Sequence, residues 1–122
     1  MKTEQIRTQL THLNNSLTEI EDSAVILADG FVVASQIVHN IDEERIGTVS
    51  AALFGLANTA AKEFEKDEVQ YVLIKCKRNY IAMFKAGKNA ELFVDFKDTP
   101  NLDTILKKCL VASDTLAQLV ES

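Results

Sequence analysis

The residues best suited to chemistry are few, and most sit in the first third of the chain. Ser35 is followed four positions later by His39, with Asp42 three further on, the residue types of a nucleophile, a base and an orienting acid. Acyl transfer also needs donors for a developing oxyanion, and no glycine-rich nest accompanies these residues. The spacing is read as coincidence. Asp29-Gly30, inside Leu27-Ala-Asp-Gly-Phe-Val-Val-Ala-Ser35, raises the question of a phosphate grip. A GxxxxGK[ST] loop needs more glycines, a lysine and a following helix. Here only four glycines are scattered along the chain, and Gly30 leads into another β-prone run. Glu19, Glu21 and Asp22 read as a solvated helix end rather than an acid–base pair. Cys76 and Cys109 are far apart in apolar settings, without CxxC or metal-ligand spacing, and read as two reduced core thiols. His12 has no Cys or carboxylate cluster beside it and reads as a solvated or edge histidine. No catalytic residue, metal ligand or cofactor site is expected.

The elements that carry these residues follow from periodicity. Ile6, Leu10, Leu13, Leu17 and Ile20 recur at fours and threes, the apolar stripe of a one-sided helix. Ser23–Ala28 and Phe31–Ser35 flank Asp29-Gly30 as two strands around a tight turn, where Gly30 supplies a positive φ. Asp42 to Lys66 reads as a long helix, capped by Asn40 or Asp42, with acids first and lysines last as the helix dipole favours. Val69–Lys77, Tyr80–Ala86 and Glu91–Phe96 read as strands. A two-residue turn at Arg78-Asn79 places Cys76 opposite Ile81 and Ile74 opposite Met83, with Val72 on the same face. Thr99 caps a last helix with Pro100 in its first position. Its buried stripe is Leu102, Ile105, Leu106, Cys109, Ser113, Leu116, Ala117 and Val120. The order is helix, two strands, helix, three strands, helix, without repeat or linker: one domain over residues 1–122.

The totals exclude several function classes. The net charge is −5 with thinly spread Lys and Arg, so neither a nucleic-acid groove nor a polybasic membrane patch is expected. The start, MKTEQIRTQL, lacks an apolar signal core, and no apolar run is long enough to span a bilayer. These features point to a soluble, cytoplasmic protein. Hydrophobic residues make up 47% of the chain, enough for a core without staples.

The central helix carries the functional signal. No charged residue lies between Arg45 and Lys62, although a surface helix normally bears charge on its outer side. At 100° per residue, Ile46, Val49, Leu53, Phe54, Leu56, Ala57, Ala60 and Phe64 form a bulky side expected to pack on a sheet. Gly47, Thr48, Ala51, Ala52, Gly55, Asn58 and Thr59 form a small, uncharged side suited to close approach by another backbone. A symmetric pair of these helices is the simplest partner. The following strand, Tyr71–Lys77, is apolar on both faces. At a sheet edge it would either pair with its own copy or be guarded by Lys75 and Lys77.

With these pieces in order, the sequence resembles the roadblock/dynein light chain domain family. The hairpin Val25–Ser35, the helix Gly47–Ala61 and the strand Tyr71–Lys77 carry the resemblance, which extends from about Glu4 to Val120. It implies an α+β fold like profilin and longin domains, a three-layer α/β/α arrangement around an antiparallel five-stranded sheet. It also implies a homodimer or heterodimer through the second helix and third strand. Gly47, Thr48, Ala51, Ala52, Gly55, Asn58, Thr59, Tyr71, Leu73, Lys75 and Lys77 are the matching interface positions. The family serves Ras-like small GTPases as regulators, activators or scaffolds, and the stand-alone chain is most similar to its prokaryotic members. An activator inserts an arginine or repositions the GTPase's own residues. Of Arg7, Arg45 and Arg78, Arg45 at the start of the central helix and Arg78 at a hairpin tip with reach are the candidate GTPase contacts, neither with a motif around it, against the plainer role of solubilising charge. The expected function is a non-enzymatic dimer regulating a Ras-like GTPase. The alternatives are a scaffold or motor-associated adaptor indifferent to nucleotide, and a small-ligand sensor. Against the sensor, Ile74, Met83 and Val94 read as filled core.

Overall fold

The first apolar stripe outlasts its helix. In the computed structural model, which describes residues 1–122, α1 spans Thr3–Ser16 and buries Ile6, Leu10 and Leu13. Leu17 is already extended, and Ile20 opens β1 (Ile20–Leu27). Leu17 and Ile20 nevertheless join the same core as α1, so the stripe is continued by a strand entering the same apolar layer. Asn14 closes this corner. Its amide donates to the carbonyls of Glu21 (3.3 Å) and Gln36 (3.0 Å) and accepts from Ser23 Oγ at 2.6 Å.

β1 returns through the Asp29-Gly30 turn into β2 (Val32–Gln36). Gly30 takes φ +93°, Leu27 N–H donates to Phe31 O at 2.8 Å, and Asp29 Oδ1 accepts from Phe31 N–H at 3.0 Å. That is scaffold chemistry, with the side chain of Asp29 closing the turn. Next come α2 (Glu43–Glu63), capped by Asp42 accepting from Glu44 N–H at 3.0 Å, and three strands, β3 (Tyr71–Lys75), β4 (Asn79–Lys85) and β5 (Ala90–Lys97). α3 (Leu102–Glu121) ends the chain.

The strands form one antiparallel sheet in the order β2-β1-β5-β4-β3. Alternation along each strand divides the core. Val25, Ala34, Phe84, Leu92, Val94 and Phe96 meet α1 and α3 on one face. Ala24, Ile26, Met83 and Phe93 meet Ile46 and Phe54 of α2 on the other. The α+β, three-layer expectation holds.

Two local expectations are corrected. Ile74 pairs with Ile81 and Val72 with Met83, because Lys77-Arg78, not Arg78-Asn79, makes the turn. The slip is two residues, so the face assignment survives. α3 begins at Leu102 after a turn through Pro100 and Asn101. Thr99 Oγ1 accepts from Asn101 N–H at 3.0 Å, closing that turn instead of capping the helix. Both cysteines are free. Cys109 is buried in α3, where loss of solvent pushes its thiol up to about 12, an inert core sulfur; Cys76 is half-buried.

α2 is seated by an unusually close contact. A Cβ added at Gly47 would lie 2.1 Å from the carbonyl oxygen of Gly30 and 3.0 Å from Val32 Cγ2. The obstacle is backbone, so it cannot swing aside. On the same face, Glu91 of β5 is only 4% exposed and its Oε1 has no hydrogen-bond partner. Burial pushes this carboxyl up to about 8. Gly47→Ala should cost about 1–3 kcal/mol through forced overpacking. Gly55→Ala, whose added methyl meets nothing within 4 Å in the single chain, should stabilise the protomer, measured at concentrations where it is monomeric, by up to about 1 kcal/mol through helix propensity. Urea denaturation measures both, and equal effects would refute the seating role of Gly47. Because the folded pKa of Glu91 lies above its unfolded value, stability is lost as pH rises from about 4.5 towards 8. Glu91→Gln should therefore gain on the native protein steadily across that range in pH-dependent melts.

Candidate interaction surface

The buried stripe of α2 takes Ile46, Leu53 and Phe54 from the bulky side expected from its sequence and leaves most of the rest of that side out. Ile46, Gly47, Ser50 and Phe54 are buried, while Val49, Leu56 and Phe64 are 52%, 68% and 73% exposed. The small side is thus divided. Gly47 is committed to its own hairpin turn and Ala51 is half-buried, whereas Thr48, Ala52, Gly55, Asn58 and Thr59 remain on the surface. The reason is the Gly47–Gly30 contact, which turns the helix so that its glycine end faces inward. What α2 shows to solvent is small residues flanked by Val49 and Leu56, with no charge from Ile46 to Ala61.

β3 lies at the sheet edge, paired only with β4. Its outward N–H and C=O groups are free to accept another strand. Its side chains divide between the faces. Val72 and Ile74 turn towards α2's layer. Tyr71, Leu73 and Lys75 turn to the opposite layer: the Tyr71 ring lies 5.5 Å from Phe84, tilted by 30°, and Leu73 joins the larger core. Lys75 Nζ lies 5.0 Å over the Tyr80 ring, 3.6 Å from Asp98, and donates to the Cys76 carbonyl at 2.6 Å. Lys77 is exposed in the turn. The structure therefore keeps Thr48, Ala52, Gly55, Asn58 and Thr59 on one surface and withdraws Gly47 from it, while Tyr71, Leu73 and Lys75 border it through their backbone edge and not their side chains.

Arg45 is exposed in the first turn of α2, and Arg78 is exposed in the β3–β4 turn, where its carbonyl accepts from Asp98 N–H at 3.0 Å. Neither guanidinium is tied to a carboxylate, whereas Arg7 pairs with Glu4 on α1. Thr48 and Val49 share a shallow depression with Arg45, Asp42 and Glu44. The strand positions Met83 and Val94 are wholly buried and Ile74 is half-buried, so the sheet interior is packed as expected.

The Ser35, His39 and Asp42 set does not assemble. Ser35 Oγ donates to Glu43 Oε1 at 2.6 Å, and Asp42 caps α2. His39 turns instead to Asp22, Nδ1 to Oδ2 at 2.5 Å, with Nε2 3.7 Å from Glu21. Asp22 is the larger correction. Expected on a solvated helix end, it is wholly buried in β1 on the α2 face. β1 and β5 slip register between Ile20 and Asp22, so Ile20 opposes Phe96 while Asp22 opposes Asp95. The bulge puts Ile20 and Asp22 on opposite faces. Alternation alone could not show this; the sole hint was three carboxylates where a β-run begins. Asp22, His39 and Asp95 bring three potential ligating atoms within 4.8 Å of one another. Yet the 2.5 Å Asp22–His39 contact is a hydrogen bond, shorter than the roughly 3.3 Å that separates neighbouring ligands at zinc bond lengths.

No helix is long and apolar enough to cross a membrane. The sequence pattern of the Roadblock/LC7 domain matches residues 7–96. An uncharacterised protein of Methanocaldococcus jannaschii, MJ0310, is 31% identical over 74 residues, covering 61% of this chain and 65% of its own length. Among solved structures, MglB of Myxococcus xanthus superposes with a TM-score of 0.90 at 18% identity, over 98% of this chain and 90% of that one. Profilin of Schizosaccharomyces pombe reaches 0.59 at 14% identity, over 93% and 94%, the same layered fold more distantly. The family pattern spans most of the chain, and the layered fold agrees with it, so the chain belongs to the Roadblock/LC7 family.

Proposed function

We propose that this protein is a cytoplasmic, self-associating regulator of a Ras-like small GTPase, with no active site of its own. The observation that carries the reading is the outer face of α2. Val49 and Leu56 stand in solvent beside Ala52, Gly55 and Thr59, with no charge to repel a partner and an open strand edge in the same sheet. Exposed apolar residues on a face that excludes charge are the physical signature of an interface. Two copies related by a two-fold axis would lay α2 against α2 at Gly55, where a neighbouring backbone meets no side chain. β3 edges could then join through Tyr71, Leu73 and Lys75 backbone groups. The family resemblance supplies the second partner: a GTPase on the two-fold axis, one per dimer because a second would clash. The untethered Arg45 and Arg78 are the contacts open to it. They would act by position and charge, since nothing in the site resembles a hydrolytic centre.

Two outcomes test this. Light scattering should give a dimer for the native chain and a monomer for Gly55→Glu, which places a charge in the helix pair. A native monomer would refute the interface. A Ras-like GTPase from the same genome should then bind at one per two chains, and more tightly with a GTP analogue than with GDP. Equal binding in both states would favour a nucleotide-indifferent adaptor. Given state-dependent binding, Arg45→Ala and Arg78→Ala should lower any acceleration of hydrolysis without dissociating the dimer.

A further inference from the structure

The connection from β2 to α2 is fastened to the sheet by one buried carboxylate. Asp22 Oδ1 accepts from Val38 N–H at 2.7 Å and His39 N–H at 3.4 Å, while Oδ2 receives the His39 ring at Nδ1. Beside it on β5, Asp95 Oδ1 accepts from Asp22 N–H at 2.9 Å, and the two carboxyl groups approach within 4.8 Å. Two carboxyls so placed repel when both are ionised and bond when one keeps its proton. His39 lies above them with its side chain 48% exposed, so solvent reaches the group from that side. Three residues past His39, Asp42 caps α2.

We propose that Asp22, His39 and Asp95 form a proton-operated latch on the β2–α2 connection. With His39 charged and one proton held between the carboxyls, the connection is fastened to the sheet; loss of those protons at mildly alkaline pH loosens it.

The electrostatics agree with the geometry. Burial, reinforced by the neighbouring Asp22, pushes Asp95 up to about 7. His39 is raised above its ordinary value by its hydrogen bond to Asp22, with Asp22, Glu21 and Asp95 adding attraction. Burial alone would raise Asp22, but hydrogen bonds from Asp95, His39 and Val38 outweigh it and hold the carboxylate below its usual range. The signs then follow. The His39 contribution is complete below about 6.5 and lost as pH rises through its raised value. Ionising Asp95 costs stability as pH rises from about 3.8 to about 7. The Asp22 contribution is lost only in acid, as pH falls through its lowered value. The latch is therefore tightest in mild acid and weakens through neutrality. Other charges near it are few. Glu21 of β1 faces His39 at 3.7 Å, Lys97 lines the same shallow depression as Glu21 and Val38, Ile81 of β4 opposes Asp95, and of α2 only the first turn is charged, where Glu43 accepts from Ser35 Oγ, with no charge from Ile46 to Ala61.

Amide hydrogen exchange of the native protein tests the latch. After correction for intrinsic base catalysis, protection at Val38 and His39 should fall at least about threefold between about pH 6 and pH 8.5, relative to the sheet amides of Ala24 and Val94. That ratio separates the latch from Glu91, which titrates on the same strand but acts on the whole fold. Asp95→Asn keeps the acceptor for Asp22 N–H and offers a permanent donor to its carboxylate, so the fall should shrink. Flat protection in the native protein, or an identical fall in Asp95→Asn, would overturn the proposal. Should the variant not fold, the ring resonances of His39 decide the matter in the native chain: a midpoint above the ordinary value supports the latch, and an ordinary midpoint refutes it.

Discussion

One helix must cover an entire face of a five-stranded sheet, and it does so by resting its Gly47 backbone on the carbonyl of Gly30. That contact fixes how α2 is rotated. Rotation decides which residues are core and which are surface, because on a helix a small turn about the axis exchanges neighbouring stripes. Ile46, Ser50 and Phe54 go inward as a result, and Val49 and Leu56 go outward. The candidate partner surface is thus a consequence of an internal contact. The glycines that seem to form one row serve different ends: Gly47 seats the helix, while Gly55 is open to a neighbour.

The two faces of the sheet are not equivalent. The α1/α3 face holds a cluster of 17 buried residues, and the α2 face a cluster of 6. The larger core is aromatic and continuous, with Tyr80 stacked 5.0 Å from Phe96. It is the part able to hold the fold together. The smaller layer also carries the buried carboxyl groups of Asp22 and Glu91, with Asp95 between two strands. Burying such groups opposes folding unless they are paired or protonated. The α2 layer therefore combines the weaker apolar attachment with the groups most sensitive to protons, and its outer side carries the exposed Val49 and Leu56. Scaffold and responsive surface are separated by the thickness of the sheet.

Much of this was legible in the residues. Element order, the Asp29-Gly30 turn and a cap at Asn40 or Asp42 follow from periodicities and turn chemistry, which act over a few residues, whereas helices on both faces of the sheet were implied by the family resemblance. The absence of charge from Ile46 to Ala61 correctly marked α2 as unusual. Less legible were features set by alignment between distant segments. The β3–β4 turn could sit at either of two adjacent pairs because neither offers the Asn-Gly or Gly-containing chemistry that fixes a hairpin. The end of α1 was hidden because Leu17, just past the helix, and Ile20, opening β1, serve the same core that they would have served from a helix.

What the sequence by itself determined is the order of the elements and the helix that carries no charge over most of its length, since apolar spacing and charge exclusion are local properties of the chain. The tertiary structure alone decided that Gly47 belongs to the interior, that Tyr71, Leu73 and Lys75 turn their side chains away from α2, and that Asp22 is buried against Asp95 and His39. Each depends on how segments far apart in sequence meet: a helix resting on a turn, a strand lying at an edge, a bulge shifting a register by one residue. The energies that settle such meetings belong to contacts between elements, and no single stretch of sequence contains them.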